Sequence, residues 1–532
     1  MPSTKKLLSI TNLKKYFPIA KSSILQRQQY YVKANEDISL DIYEGETLGI
    51  VGESGCGKST LGRVLLQLYE QTAGTTMYYG MSRAELAPRY VTDTLRHAKR
   101  YISKLHAAQA RADAASAKVS QLGEAATFFD LQNKNLAVAE YQTAQAHIAK
   151  ILGGFLVRDT EQGAALLYRK ARLEERAAAL SDRIRDIELM LDEAEGGTAD
   201  DGKPANASQL ARLKGRCDRL TRERDGLNAQ IREAEQSIAA IKQAHRDDPE
   251  FQRYEAMLDD GIDLARLKYS EMRILRKDLQ IIFQDPYSSL NPRFTIGQII
   301  EEGLVTHKFF RHGSPKMREH VVRTMKECGL QEYMLFRYPH QFSGGQRQRI
   351  SIARALAVHP KFVVCDECVS ALDVSIQSQI INLLQELKQK EHLTYMFISH
   401  DLSVVRYISD RICVMYLGNV VELADAATVF GDPRHPYTVA LLSSIPTTDM
   451  ESLKKERILL EGSIPSPVKP PDGCKFHTRC WMACDKCRRV PPPLAEIEPG
   501  HFVACHFPER KLDENGNYLF EMPKTEKKSA KE

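Results

Sequence analysis

Apolar and polar positions alternate along this chain with two different periods. Over residues 166–194, Leu166, Leu173, Ala177, Leu180, Ile184, Ile187, Leu191 and Ala194 recur at spacings of three, four or seven. Over residues 210–241, Leu210, Leu213, Cys217, Leu220, Leu227, Ile231, Ala234, Ile238 and Ile241 do the same, with Arg224 the one polar seam position. Each series predicts a helix with an apolar seam. The Gly- and Asp-rich loop 196–204 divides them, so the two seams face each other in an antiparallel hairpin with arms of roughly 45 Å, at about 1.5 Å per residue. Residues 94–152 also read as helical, with a weaker period. Elsewhere the apolar runs are short. Ile38, Leu40 and Ile42 alternate, and 47–51, 362–365 and 395–398 are brief runs with polar flanks. They predict buried strands of an α/β core, mainly parallel. A helix is predicted over 61–68. The chain after Gly462 is rich in Pro and Cys and reads as irregular. Residues 524–532 are charged and read as disordered.

Composition sharpens this division. The chain has 532 residues, enough for several structural units. Only Pro88, Pro204 and Pro249 fall within 81–262, out of 23 prolines in all, which supports the helical reading there. Lys+Arg is 74 against 69 Asp+Glu, a net charge of +5, too balanced for a chain whose main work is coating nucleic acid. One Trp and 8% aromatics argue against a stacking platform for single strands. No apolar run approaches the roughly 18–20 residues that cross a bilayer. The first 15 residues lack a signal-type apolar stretch, so a cytosolic location is expected. Of 11 cysteines, five lie between Cys474 and Cys505, a cluster that in a cytosolic chain suggests metal before disulfides.

The chemistry starts at Gly52-Glu53-Ser54-Gly55-Cys56-Gly57-Lys58-Ser59-Thr60, which fits G-x-x-x-x-G-K-[ST] between a predicted strand and a predicted helix. Such glycines let backbone N–H groups turn inward around phosphate oxygens, and the helix N-terminus adds partial positive charge. Lys58 is expected to reach the β- and γ-phosphates and Ser59 to ligate Mg²⁺. Asp366 and Glu367 follow the apolar run 362–365. Asp366 is placed to hold the Mg²⁺ shell, and Glu367 to polarise the attacking water as a general base.

Phe342-Ser343-Gly344-Gly345-Gln346 lies shortly before Asp366. Together with the P-loop it resembles the nucleotide-binding subunit of ATP-binding cassette (ABC) transporters. Further matches keep the family order. Gln284 is similar to the Q-loop glutamine that contacts Mg²⁺, and 370–373, ending in Asp373, resembles the D-loop. His400 resembles the switch histidine at the γ-phosphate. Phe17 aligns with the aromatic that stacks on adenine, with Tyr16 the near alternative. The resemblance implies a dimer of two such domains. Ser343, Gly344, Gly345 and Gln346 of one would bind ATP held by the P-loop of the other.

Residues 285–293, His435-Pro436-Tyr437-Thr438 and 499–506 further resemble the oligopeptide/dipeptide importer ATPases, closest to the F-type subunit. That implies ATP and Mg²⁺ as cofactors, with Mg²⁺ held through Ser59, Gln284 and Asp366. The implied partners are a paralogous ATPase as heterodimer, two transmembrane permease subunits and an extracytoplasmic substrate-binding protein, with no nucleic acid. The place of work is the cytoplasmic membrane face, as a peripheral subunit. Cargo is open: nickel and other small solutes are alternatives to peptides. A coiled-coil ABC-type ATPase acting on DNA is the alternative of another class, but there the coil follows the Q-loop and is far longer. Cys368 stands where the family usually has Pro.

The expected architecture is a P-loop ABC-type α/β domain with a RecA-like core, a β-rich subdomain and a helical subdomain. Lys58 and Gln284 are 226 residues apart, far beyond the family pattern. The chain is therefore read as a first ATPase part (1–80), an inserted antiparallel coiled-coil arm (81–262) and a second ATPase part (263–430). A Cys-containing extension (431–510) and a charged tail (511–532) follow. The ends of the insertion must lie close in space. The arm reads as a solvated structural element, with a docking surface for a partner the alternative. Cys474, Cys480, Cys487 and Cys505 can hold zinc or an iron–sulfur cluster, or stay free thiols. The resemblance points to a [4Fe–4S] cluster.

Overall fold

A computed structural model describes residues 5–21, 28–195, 207–310, 313–445 and 458–508. The expected loop 196–204, the tail 524–532 and the side chain of Ala194 lie outside the described residues. Strand β1 (Lys6–Pro18) pairs antiparallel with β2 (Tyr31–Tyr43). Strand β3 (Thr47–Val51) is buried throughout, as its unbroken apolar run requires. Helix α1 (Lys58–Leu65) follows it. This helix starts three residues earlier than the apolar pattern predicts, and it stops at Leu65. Its first turn is polar because it belongs to the phosphate loop. Strand β4 (Ala73–Tyr78) returns antiparallel along the free edge of β1.

Seven helices come next: α2 (Arg83–Leu86), α3 (Arg89–Arg96), α4 (Ala98–Leu122), α5 (Phe128–Leu152), α6 (Thr160–Glu195), α7 (Ala207–Ala244) and α8 (Pro249–Glu255). The weakly periodic stretch 94–152 is thus helical, but in pieces. Gly123 at φ +50° ends α4, and Thr127 with Asp130 forms a reciprocal cap that starts α5. Along α6 and α7, Leu173, Leu180, Ile184, Ile187, Leu220 and Leu227 are buried in one cluster. Lys170, early in α6, pairs with Glu235, late in α7, at 2.9 Å. Nearer the body, Val91, Leu95, Ile148, Phe155, Ile238 and Phe251 form a separate core.

Strand β5 (Ile262–Asp263) closes this excursion against β4, with Tyr78 opposite Ile262. The helices are also bonded to the β-sheet beneath them. The N–H of Gly74 in β4 donates to Thr143 Oγ1 at 2.8 Å, and Lys150 pairs at 2.7 Å with Asp259, in the segment that leads into β5.

Helix α9 (Tyr269–Leu275), β6 (Leu279–Ile282) and α10 (Pro286–Ser289) lead to a helical layer of α11 (Ile296–Thr306), α12 (Pro315–Glu327) and α13 (Gly344–Leu356). Then β7 (Phe362–Asp366), α14 (Val374–Glu391), β8 (Thr394–Ile398) and α15 (Leu402–Ile408) alternate. The chain continues with β9 (Arg411–Tyr416), β10 (Asn419–Asp425), α16 (Ala426–Gly431) and α17 (Pro436–Ser443). Most of the last described segment is irregular, as expected. It holds only α18 (Asp485–Arg489) and the hairpin β11 (Ala495–Glu498) with β12 (His501–Val503).

Two sheets result, in the orders β2-β1-β4-β5 and β11-β12-β10-β9-β3-β8-β7-β6. In the larger one β9, β3, β8, β7 and β6 run parallel. Alternate side chains of β7 serve its two faces. Phe362 and Val364 join a core with α1 and the small sheet, and Val363 and Cys365 join one with α13 and α14. The phosphate loop and the ends of β7 and β8 follow adjacent parallel strands inside the large sheet and meet at their C-terminal ends.

Candidate functional site

The loop between β3 and α1 is shaped by close approach. Gly57 has φ +101°, and a Cβ there would come within 2.1 Å of the Ala34 carbonyl. Gly52, at φ +148°, would meet the Met415 carbonyl at 2.2 Å. No side chain fits either place. The Lys58 ammonium is buried and donates to the carbonyls of Gly52 at 2.7 Å and Glu53 at 3.1 Å. One residue on, Ser59 Oγ donates to Asp366 Oδ1 at 2.5 Å, across from the end of β7. The other Asp366 oxygen lies 3.3 Å from Arg63, a residue of α1.

Glu367 sits beside them with φ +50°, a left-handed conformation that costs a non-glycine residue about 1–3 kcal/mol. Its N–H donates to the Ile398 carbonyl at 3.0 Å, which ties it to the end of β8. Gln284 donates to Glu367 Oε2 at 2.9 Å, and His400 Nδ1 lies 3.5 Å from the same oxygen. Residues 59, 284, 366, 367 and 400 thus come together from four segments.

Other predicted residues stand apart from this group. Ser343 caps α13 through its own Gln346, with Gly344 and Gly345 opening the helix. Among the described residues no hydrogen bond or ion pair joins them to the phosphate loop. Asp373 is exposed at the start of α14. Phe17 packs edge-on to Tyr69 at 5.4 Å, with the Lys15 ammonium 4.6 Å from its ring. Tyr16, its alternative, is buried and donates its hydroxyl to Glu36 at 2.6 Å, so its ring is already committed. Burial also pushes that phenol well above its ordinary range.

Two residues not assigned a role from the sequence reach the loop. Arg479 forks onto Glu53, with nitrogen–oxygen distances of 2.8 and 3.1 Å. The Tyr437 hydroxyl accepts from the Glu53 N–H at 2.8 Å. The motif that holds Tyr437 is visible in the sequence, but only as a subfamily mark. Nothing local ties Arg479 to a residue 426 positions away.

Cys474, Cys480, Cys487 and Cys505 line one pocket with Phe476 and Met482. Burial pushes the Cys480 thiol up to about 12 and the Cys505 thiol up to about 11, with the neighbouring sulfurs adding to both. Cys484 lies with its sulfur 3.8 Å from that of Cys487. Among the described residues no group of three or more His, Cys, Asp or Glu side chains forms a site able to hold a metal ion. No described helix is long and apolar enough to cross a membrane.

A phosphate loop at the end of a buried parallel strand, facing an acidic strand end, a glutamine and a histidine, defines a P-loop ATPase cassette. The ABC transporter family profile matches residues 35–155 and 253–370, and the profile for the oligopeptide/dipeptide transporter C-terminal region matches 421–487. The putative oligopeptide transport ATP-binding protein YkfD of Bacillus subtilis is 53% identical over 46% of this chain and 75% of its own. The oligopeptide transport ATP-binding protein AppF of the same organism is 52% identical over 47% and 76%. A putative peptide import ATP-binding protein of Brucella ovis is 52% identical over 46% and 77%. The chain belongs to the oligopeptide/dipeptide family of ABC transporter ATP-binding proteins, and it is an ATPase.

Proposed function

We propose that this chain hydrolyses ATP to drive peptide import through a membrane complex. The observation that carries the reading is the convergence of Gln284 and His400 on Glu367, beside the Ser59–Asp366 pair. The ligand set Ser59, Asp366 and Gln284 is all oxygen, which suits Mg²⁺. Bound there, Mg²⁺ would neutralise charge on the phosphates. Lys58 is held on loop carbonyls, and phosphate oxygens offered at the same place compete for its ammonium. Glu367 accepts a proton from the attacking water, and His400 steadies the carboxylate and the γ-phosphate. Phe17 stacks on adenine. Ser343, Gly344, Gly345 and Gln346, remote from this chain's own loop, serve ATP on a paralogous partner, and Asp373 lies on the same interface.

The relatives' names support oligopeptide cargo. By that reading the chain works at the cytoplasmic face with two permease subunits and a substrate-binding protein. The helices between β4 and β5 are an insertion in the ATPase, and α6 and α7 are its antiparallel coiled-coil arm. Cys474, Cys480, Cys487 and Cys505 would be the four thiolates of a [4Fe–4S] cluster, although as described they form no site able to hold a metal ion. The shared pocket and the four soft sulfur donors support that assignment, with zinc the alternative the metal analysis would reveal. Uptake of a labelled oligopeptide in cells that rely on this chain tests the transport reading. Wild-type protein should restore uptake and Lys58→Ala should not. Uptake restored equally by both would refute it.

A further inference from the structure

A second concave site lies where the helices between β4 and β5 meet the cassette. It is a groove of about 550 Å³ between α3, α6 and the segment before α9. That size suits a small molecule. Five cationic side chains line it, Arg89, Arg96, Arg172, Arg266 and Lys268, against two carboxylates, Asp93 and Glu175. Both carboxylates are already engaged. Asp93 takes the Tyr101 hydroxyl at 2.5 Å and faces His97 at 3.1 Å, and Glu175 pairs with Arg172.

Arg266 is fixed as well. It donates to the His147 carbonyl at 3.1 Å and Thr94 Oγ1 at 2.8 Å, and lies 4.5 Å from the Tyr90 ring. Arg89, Arg96 and Lys268 remain. No hydrogen bond or ion pair engages any of these three charged groups among the described residues. The nearby Glu271 carboxylate is taken up by the backbone N–H groups of Arg89 and Lys268, at 2.7 and 2.8 Å, and three cationic side chains around one concavity still focus a positive field into it. Guanidinium forks match phosphate oxygens in pairs.

We propose that this groove binds a small phosphate-bearing anion of at least two negative charges, separate from the ATP site. The ligand would be held from one side by Arg89 and Arg96 on α3 and from the other by Lys268. Lys268 precedes α9, which leads through β6 to Gln284. Such a ligand therefore ties the helical segment to the strand that feeds the catalytic group.

Calorimetry with inorganic pyrophosphate on the full chain carrying Lys58→Ala, which disables the P-loop, tests this. The expected result is saturable binding that weakens with salt. Adding Arg96→Gln and Lys268→Gln should weaken it at least about tenfold, as loss of charged hydrogen bonds does. Arg169→Gln, an exposed arginine of α6 outside the groove, should leave it unchanged. A parallel titration with ADP separates the two sources. Tighter binding than pyrophosphate assigns the site to nucleotides, and equal binding assigns it to inorganic phosphates. If the triple variant does not fold, Arg96→Gln alone on the Lys58→Ala chain must weaken binding. Absence of binding to the Lys58→Ala chain, or equal affinity with and without the groove substitutions, overturns the proposal.

Discussion

The Arg479 guanidinium grips the Glu53 carboxylate with both nitrogens, at 2.8 and 3.1 Å, although the two residues belong to opposite ends of the chain. Glu53 lies inside the phosphate loop, and Arg479 lies in the Cys-rich segment. The C-terminal extension therefore holds the loop that must cradle phosphate.

Arg479→Ala should weaken nucleotide binding by about tenfold, since a charged hydrogen-bonded pair contributes about 1.5–3 kcal/mol. Arg479→Lys should recover only part, because a point charge cannot fork onto both carboxylate oxygens. Titration with a fluorescent ATP analogue measures both. Unchanged affinity in Arg479→Ala would show that the clamp does not position the loop.

Glu367→Gln should keep ATP affinity and lose hydrolysis by about 10²–10⁴-fold, the usual share of a general base. The amide retains the size and can still meet Gln284 and His400, but it cannot take a proton. Single-turnover hydrolysis at saturating ATP separates the two effects. Wild-type turnover in this variant would remove Glu367 from its role.

Acid should act through Glu36. Burial opposes ionisation of this carboxyl, yet Lys475, Lys33 and the Tyr16 hydroxyl outweigh it and hold the group at about 2 instead of 4.5. A depressed folded pKa stabilises the fold above the ordinary value, and that stability is lost as pH falls from 4.5 toward about 2. Melting temperatures over this window should fall more steeply for the wild type than for Glu36→Gln. Parallel curves would contradict the linkage.

The seam of α6 and α7 should melt independently of the ATPase. Leu180 is buried there with Leu173, Leu220 and Leu227, and truncating a buried leucine costs about 2–5 kcal/mol. Leu180→Ala is expected to speed hydrogen exchange in both helices while steady-state ATP hydrolysis stays within about twofold. Protection unchanged in α6 would mean the seam does not hold the pair.

On the proposed cluster assignment, protein purified without air should be coloured and carry iron and sulfide. Cys480→Ala should lose the colour. A colourless, iron-free and fully active preparation would end the cluster assignment, and stoichiometric zinc would replace it.

Much of the site was legible because its chemistry is local. The run Gly52–Thr60 carries its own turn, lysine and hydroxyl, and Asp366–Glu367 ends an apolar strand, so spacing alone exposes both. Helices α6 and α7 were legible for a similar reason: a seam repeated over many turns leaves a period in the sequence. Other features carry no local signal. Nothing local separates Tyr16 from Phe17, and the buried hydroxyl bond from Tyr16 to Glu36 supports Phe17 as the proposed adenine contact. The clamp of Arg479 on Glu53, the meeting of four cysteines in one pocket and the unpaired cations of the groove arise where distant segments fold together. By itself, then, the sequence determined which groups are candidates to bind and cleave a phosphate. The tertiary structure decided which of them share a charge, because Coulomb and hydrogen-bond energies depend on distance in space and not along the chain.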